Sequence, residues 1–462
     1  MSTKRFHHGT PPTQLFFLPP ALTDWIPPDH EVYAWSEIVD ALDLRALYLA
    51  YGSLRGQPPY DPRVMVKILV YGYARGLRSS RQLARACVED LTFRILTGNL
   101  QPDFTTIAQF RRRHLQALGE LLVESVRLAQ EAGLVKGRDV AIDGTKIQAN
   151  ASKHRAMSYG RLAEELERLE QEITEYLRTL EATDQVEDAA HGRMADGRSV
   201  PEALADAQRR RATIQAAKAR LEAEAQARAE AVHAERVARA EAAGKPAPPP
   251  PEEPPQPDPK AQSNFTDPDS RIMRNADKAF IQGYNAQVAV DTETQIILAA
   301  DCTNQAADAP HLLPLLDQVM ANLGRAPQGV LADAGYCSDA HLEALETRGI
   351  DALIPPEKVR HRAWRTVRAP RGRIPRHLSR KDRMRRKLQT RAGRRRYRRR
   401  MTSVEPVFGL LKSVQRCRQF LFRGLARVRA EWRWHCAVHN LQKILRYGKG
   451  RWRRRGPVPC VA

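Results

Sequence analysis

Val330-Leu331-Ala332-Asp333-Ala334-Gly335-Tyr336 is the stretch on which the fold turns. Three apolar residues bounded by a turn-forming Ala-Gly give a short buried strand that delivers an acid, Asp333, at its end. Upstream, Pro310 to about Leu323 predicts a helix. Downstream, Ser338 caps another helix that stops at Gly349, and Ala352-Leu353-Ile354 makes a further strand. Earlier still, Tyr284, Ala286, Val288 and Val290 alternate with Asn285, Gln287 and Asp291. A turn at Asp291 to Thr294 leads from them into Ile296-Ile297-Leu298, the pattern of a β-hairpin. Hairpin, helix, strand, helix and strand in this order predict a mixed sheet with helices on its faces.

A second strand of this kind lies far upstream. Arg138 to Ile142 is short and apolar and ends in Asp143-Gly144-Thr145-Lys146. A third acid, Glu405, stands at the expected start of a helix, after Ser403 as a candidate N-cap and before Pro406. Each has a plain structural alternative: Asp143 and Asp333 as turn residues, Glu405 as a favourable charge on a helix dipole. Asp269, Asp301 and Asp308 are rival acids. Two acids at strand ends and one on a helix suit in-line phosphoryl displacement, in which two divalent ions about 4 Å apart are held by two or three carboxylates.

The formal net charge is +22, and it is concentrated. Between Lys358 and Arg400 stand 21 Lys/Arg and one acid, Asp382, so this stretch alone carries +20. Such a block is the footprint of a polyanion partner, because every neutralised phosphate releases condensed counterions. The competing reading is a solvated basic tail. Its internal position and the interleaved Trp364, Met384 and Tyr397 argue against that. Six cysteines show no CxxC and no disulfide-like spacing, and His435-Cys436-His439 lacks a second ligand pair. These side chains are therefore expected in the interior or on a helix face rather than on zinc. No signal peptide and no long apolar run stands in the chain. That fits a soluble protein of a reducing compartment, cytoplasmic and nucleoid-associated, with no membrane partner.

Residues 1–135 read as helices. Asp61-Pro62 opens one that ends at Gly76, Ser79 or Ser80 opens a second that closes near Gly98, and Asp103 or Thr105 caps a third. The exposed side of the third carries Arg111, Arg112, Arg113 and His114. Three short helices with the last one basic fit a helix-turn-helix-like DNA-binding module or, equally, a bundle with a charged face. From Arg161 on, Leu162, Leu166, Leu169, Ile173, Tyr176 and Leu180 recur at steps of four and three, a heptad seam. A break near Asp184 to Pro201 separates it from an Ala/Glu/Arg-rich helix to about Ala243. An antiparallel helical hairpin is expected, with a second chain as the alternative partner of the seam. Nine prolines between Pro246 and Pro259 then make a stiff spacer. The fold class is α/β: a mixed-sheet core from residues 136–160 and 261–447, an all-helical N-terminal part at 1–135, an inserted helical hairpin with its Pro-rich linker at 161–260, and a basic tail at 448–462.

Asp143-Gly144-Thr145-Lys146, with Ala149-Asn150-Ala151-Ser152 after it, resembles the first motif of DDE-class bacterial insertion-sequence transposases of the IS4/IS5-type superfamily. Leu331-Ala332-Asp333-Ala334-Gly335-Tyr336 is similar to their second. Tyr397, Arg400, Glu405 and Lys412, running through Val404-Glu405-Pro406-Val407-Phe408-Gly409, resemble the third, a Tyr-Arg-Glu-Lys signature. Tyr397 and Arg400 stand one residue further from Glu405 than in its strictest form. The helical stretch from about Leu44 to Leu118, Thr266 to Met273 and Gly283-Tyr284-Asn285-Ala286-Gln287 also look like family segments.

The resemblance implies an RNase H-like catalytic core in which Asp143, Asp333 and Glu405 are catalytic and hold metal. It implies two Mg²⁺ ions, with Mn²⁺ able to substitute, and cleavage at element ends followed by strand transfer without a covalent protein–DNA intermediate. Double-stranded DNA, both element ends and target, is the expected partner, and a homodimer on DNA follows from the need to hold two ends. Lys146, Arg400 and Lys412 are expected on phosphate near the scissile bond, with Tyr397 beside them. Arg394, Arg395 and Arg396 of the basic run, and Arg111 to Arg113, are expected on DNA as well. The rival readings are an RNase H-like nuclease without strand transfer, an inactive transposase-derived DNA-binding protein, and a scaffold built on the heptad helices.

Overall fold

The sheet grows outward from β1 (Asp139–Gln148). On one side β1 pairs antiparallel with β5 (Phe280–Asp291), and β5 pairs antiparallel with β6 (Ile297–Thr303). On the other side β1 pairs in parallel with β7 (Gly329–Leu331), and β7 in parallel with β8 (Asp351–Leu353). A short β4 (Arg271–Arg274) extends the far edge of β5, and β2 (Ala156–Ser158) and β3 (Gln262–Asn264) form a separate two-stranded sheet. The protein is seen here as a computed structural model that describes residues 21–51, 58–152, 155–184, 200–250, 255–275, 277–357, 372–375 and 377–455. Trp364 and the whole of the basic run from Lys358 to Arg371 lie outside these residues.

The strand at Arg138 to Ile142 is longer than its apolar run. β1 continues through Gln148 because β5 pairs with it along its length, from Val140 opposite Asp291 to Gln148 opposite Gly283. A long buried partner supplies the ladder that keeps Gly144, Lys146 and Gln148 extended, so context overrides local polarity. Asp143 consequently sits in mid-strand and not at a strand end.

The N-terminal helices are α1 (Glu31–Asp40), α2 (Arg45–Tyr48), α3 (Pro62–Ala74), α4 (Ser80–Glu89), α5 (Leu91–Thr97), α6 (Phe104–Arg113) and α7 (Leu115–Glu131). Asp61 caps α3 through Arg63 N and Asp103 caps α6 through Thr105 and Thr106 N, as their sequence positions require. The single helix expected from Ser79 to Gly98 is broken in two. Asp90 accepts from Thr92 N at 2.8 Å and starts α5, because a capping carboxylate competes with continuation of the helix.

One hydrophobic core joins these helices to the sheet. Its axis is the C-terminal helix, α14 (Leu425–Tyr447), which packs on α7 and α3 and, on another side, on β6. Trp432 and Trp434 are buried along it, and Asn440 exchanges hydrogen bonds with both backbone groups of Ile297 while donating to Ser125. His435, Cys436 and His439 are interior residues of this helix. His435 Nδ1 lies 2.7 Å from Gln415 Oε1 and His439 Nε2 lies 3.0 Å from the Gln295 carbonyl.

The heptad seam finds its partner in the same chain. Leu162, Leu166, Leu169 and Ile173 of α8 (Tyr159–Asp184) bury against Ala207, Ile214, Ala217 and Leu221 of α9 (Val200–Ala242). The helices run antiparallel, since Tyr159 reaches Glu222 while Glu165 pairs with Arg210. Leu180 and the break after Asp184 fall outside the described side chains.

Helix α10 (Leu312–Leu323) joins β6 to β7, α11 (Asp339–Thr347) joins β7 to β8, and α12 (Arg380–Gln389) and α13 (Arg391–Ser413) come between β8 and α14 in the chain. The helix expected to begin at Glu405 begins at Arg391, where Thr390 caps it through Gly393 N at 3.0 Å. Arginine is a good helix former, so the basic run continues straight into the helix. Pro406 therefore lies inside α13 and leaves the Thr402 carbonyl without its intrahelical donor. Gln295 Nε2, from the β5–β6 turn, donates to that carbonyl at 3.0 Å.

Candidate active site

Register places the two aspartates together. Ala141 pairs with Leu331 across the parallel β1–β7 ladder, and two residues further along each segment stand Asp143 and Asp333. Asp333 opens a tight turn and accepts from Gly335 N at 2.8 Å. Asp143 accepts from Gly144 N at 2.9 Å and from Arg400 Nη1 at 2.5 Å. Burial pushes the Asp143 carboxyl up to about 6, against the pull of Arg400, and the nearby Asp333 and Asp308 charges add to the rise.

Helix α13 crosses this face of β1 and gives it three cations. Arg396 forks between Asp139 and Asp351, Arg400 takes Asp143, and the Lys412 ammonium donates to Thr145 Oγ1. Arg400 also sits 5.9 Å from the centre of the Tyr397 ring. Glu405 is on the same helix but exposed, away from the buried face formed by Val404, Val407 and Leu411. Among the described residues no three His, Cys, Asp or Glu side chains lie close enough together to share a metal ion. The structure thus brings Asp143 and Asp333 together and leaves Glu405 outside the pair.

The opposite face of β1 carries a polar cluster. Lys146 Nζ donates to Asp308 Oδ1 at 3.0 Å, and the same oxygen accepts from Asn285 Nδ2 at 2.7 Å and Gln287 Nε2 at 2.8 Å. Gln287 Oε1 in turn accepts from the Tyr336 hydroxyl, three residues past Asp333. Gly144 is required here, because a Cβ would lie 2.2 Å from Gln287 Nε2 and 2.9 Å from Asp308 Oδ1. Asp308 appears in the sequence only as one rival acid, and Tyr336 only as part of the motif around Asp333. The signal for Asn285 and Gln287 was their polarity inside a strand buried on both faces.

Several expected DNA contacts have other partners. Lys146 is paired with Asp308, and Arg396 with Asp139 and Asp351. Arg111 donates to Tyr73, the Arg78 carbonyl and Ser80. Arg111, expected on the exposed side of its helix, and Arg396, from the basic run, instead tie segments of the protein together with their guanidinium groups. Arg112, Arg113 and Arg395 are exposed and Arg394 is half-buried, with Arg113 stacked 4.6 Å over the Tyr51 ring.

A mixed sheet with two antiparallel neighbours on one side of β1, two parallel strands on the other and acids on the central parallel pair defines the RNase H-like class. Residues 255–441 match the family described as Transposase DDE domain, and residues 20–113 match the Transposase domain (DUF772). Asp333 and Glu405 fall within the first match, and Asp143 lies upstream of it. No curated protein and no solved structure gives a match. Two transposase domains in one chain identify an insertion-sequence DDE transposase, a DNA-acting polynucleotidyl transferase. Such enzymes generally use divalent metal ions, and the donors fit: two hard carboxylates stand side by side, one already drawing in a guanidinium. No helix of the described residues is long and apolar enough to cross a membrane.

Proposed function

We propose that this transposase, of the IS4/IS5 type, cuts at the ends of its element and joins the freed 3′-hydroxyl to target DNA. The observation that carries this reading is the level placement of Asp143 on β1 and Asp333 just past the end of the adjacent parallel strand β7, under a helix that supplies cations. Asp143 and Asp333, joined by Glu405 from its exposed place on α13 once ions and DNA are bound, would hold two Mg²⁺ ions, with Mn²⁺ able to substitute. Bound there, the ions would activate the attacking oxygen and stabilise the leaving one. Arg400 and Lys412 line the same face and would pass from their present acceptors to phosphate oxygens as the backbone arrives. The exposed Arg112, Arg113 and Arg395, with Arg394, would grip the duplex by its phosphates, which position it without reading sequence. The working form is a homodimer on DNA in the cytoplasm, at the nucleoid, because two ends must be held at once. Residues 1–135 would recognise the ends, and the hairpin within 161–260 is an insertion into the core formed by 136–160 and 261–447.

The test uses a labelled duplex carrying the sequences that flank its own gene, with Mg²⁺, with EDTA, and with Asp333→Ala. Metal-dependent joined product that disappears in the variant supports the proposal. Cleavage without joining, even from pre-cut ends, would leave a nuclease. Tight binding with no cleavage under any metal would leave a DNA-binding relic.

A further inference from the structure

The acid pair is held from behind by a cluster that the reaction itself does not use. Alternation along β1 puts Asp143 and Thr145 on the face under α13, and Gly144 and Lys146 on the other. On that other face Asp308 Oδ1 collects three donors, from Lys146, Asn285 and Gln287, at 2.7 to 3.0 Å. Gln287 then reaches both acid-bearing segments. Its amide nitrogen fills the space where a Gly144 side chain would stand, next to Asp143. Its amide oxygen accepts from Tyr336, which closes the turn that Asp333 begins. Residue 287 also lies directly opposite residue 144 in the β1–β5 ladder.

We propose that Asp308 is a positioning residue for the Asp143–Asp333 pair, acting through Gln287 and Lys146 and setting how tightly the pair binds a divalent cation. Two effects run in the same direction. Asp308 fixes which way the Gln287 amide points, because its carboxylate can only accept and so selects the amide nitrogen. The oxygen is thereby left for Tyr336, and the two aspartate segments are tied to one side chain. Asp308 also neutralises Lys146, whose ammonium would otherwise oppose a cation on the far side of the strand. Asp308 touches neither DNA nor metal in this role. The inference rests on the reading of Asp143 and Asp333 as cation ligands.

Mn²⁺ affinity of the full chain, measured by calorimetry without DNA, tests it independently of turnover. Asp308→Asn should weaken Mn²⁺ binding about tenfold, while Lys146→Met, which leaves the Asp308 charge in place, should tighten it by about threefold. The double variant should fall between the two. A purely structural cluster would weaken binding in both single variants or in neither, and either result overturns the proposal. Should Asp308→Asn fail to fold, the sign of the Lys146→Met change decides. Asp143→Ala is the control: if it keeps wild-type Mn²⁺ affinity, the reading of the acid pair fails. If it loses binding while both single variants match wild type, only the role of Asp308 fails.

Discussion

The two faces of β1 are made of the same ten residues and behave as different materials. Toward α13, Asp139, Asp143 and Thr145 each meet the end of a long cationic side chain, Arg396, Arg400 and Lys412. Away from it, Gly144 and Lys146 meet a closed set of short hydrogen bonds around Asp308. Long cations can change acceptors at little cost, because their heads turn on flexible stems. A half-buried carboxylate with three donors, beneath a glycine with no room for a methyl, gives up several hydrogen bonds at once if it moves. One face is suited to exchanging partners when a polyanion arrives, and the other to holding the strand still while it does.

Removing the acids breaks the comparison outright. Asp143→Ala or Asp333→Ala should lower cleavage at least about a thousandfold while gel-shift affinity for end DNA stays within a few-fold of wild type. Loss of binding together with cleavage would mean that the pair builds the fold.

Gly144→Ala attacks the held face directly. The added methyl would overlap Gln287 Nε2 at 2.2 Å, so the cluster must open or the strand must shift. The expected cost is about 2–3 kcal/mol, read as a lower midpoint in urea, together with reduced cleavage by the folded fraction. Unchanged stability would show that the cluster is loose.

Two arginines one helical turn apart sharpen the contrast within the exchanging face. Arg400→Ala should cut cleavage about ten- to a hundredfold at little cost in stability, since its partner sits where a metal ion can take over. Arg396→Ala should do the reverse. It leaves Asp139 buried without its fork and should cost about 1–3 kcal/mol, with cleavage per folded molecule retained.

The smallest effect concerns α14, behind the sheet. Burial holds His439 down at about 4, from 6.5, and holds His435 well below its ordinary range, so both are neutral in the fold. Between pH 6.5 and 4 the unfolded chain binds the protons that the folded chain refuses. The contribution of these two histidines to stability is full above 6.5 and falls as pH drops through that window, by at most about 1.4 kcal/mol per pH unit for each, while the raised Asp143 carboxyl works in the opposite direction. His439→Gln should flatten part of the slope of urea midpoint against pH.

The succession of the main strands and helices along the chain was legible because each of those strands holds an apolar run, and Asp143 and Asp333 because each run is followed by an acid; the order of strands in the sheet, and the short β2, β3 and β4, were not. The reach of β1 past Asp143 was not, since Gly144 to Gln148 stay extended only through β5, whose pairing is remote in sequence. The start of α13 was hidden by its own charge: a run of arginines reads as a footprint for phosphate before it reads as helix. Counting charges also cannot say which are already taken, and Asp139, Asp351 and Asp308 take Arg396 and Lys146. Asp308 itself follows β6 in a loop, and only the tertiary fold carries it under Gly144.

The small β2–β3 sheet has a consequence for how this chain tolerates change in length. Ala156 pairs with Asn264 and Ser158 with Gln262, while Tyr159 N donates to the Ala261 carbonyl at 2.8 Å, so the two ends of the α8–α9 excursion are clasped where they leave and return. About a hundred residues of chain lie between the two strands of the clasp, and what still ties α9 to the main sheet beyond it is a pair of ion pairs, Glu224 with Arg271 of β4 and Arg220 with Asp269. The clasp works as a socket: the far ends of the two helices can change length without moving β1 or β5, provided the turn of α9 that carries Arg220 and Glu224 stays in place.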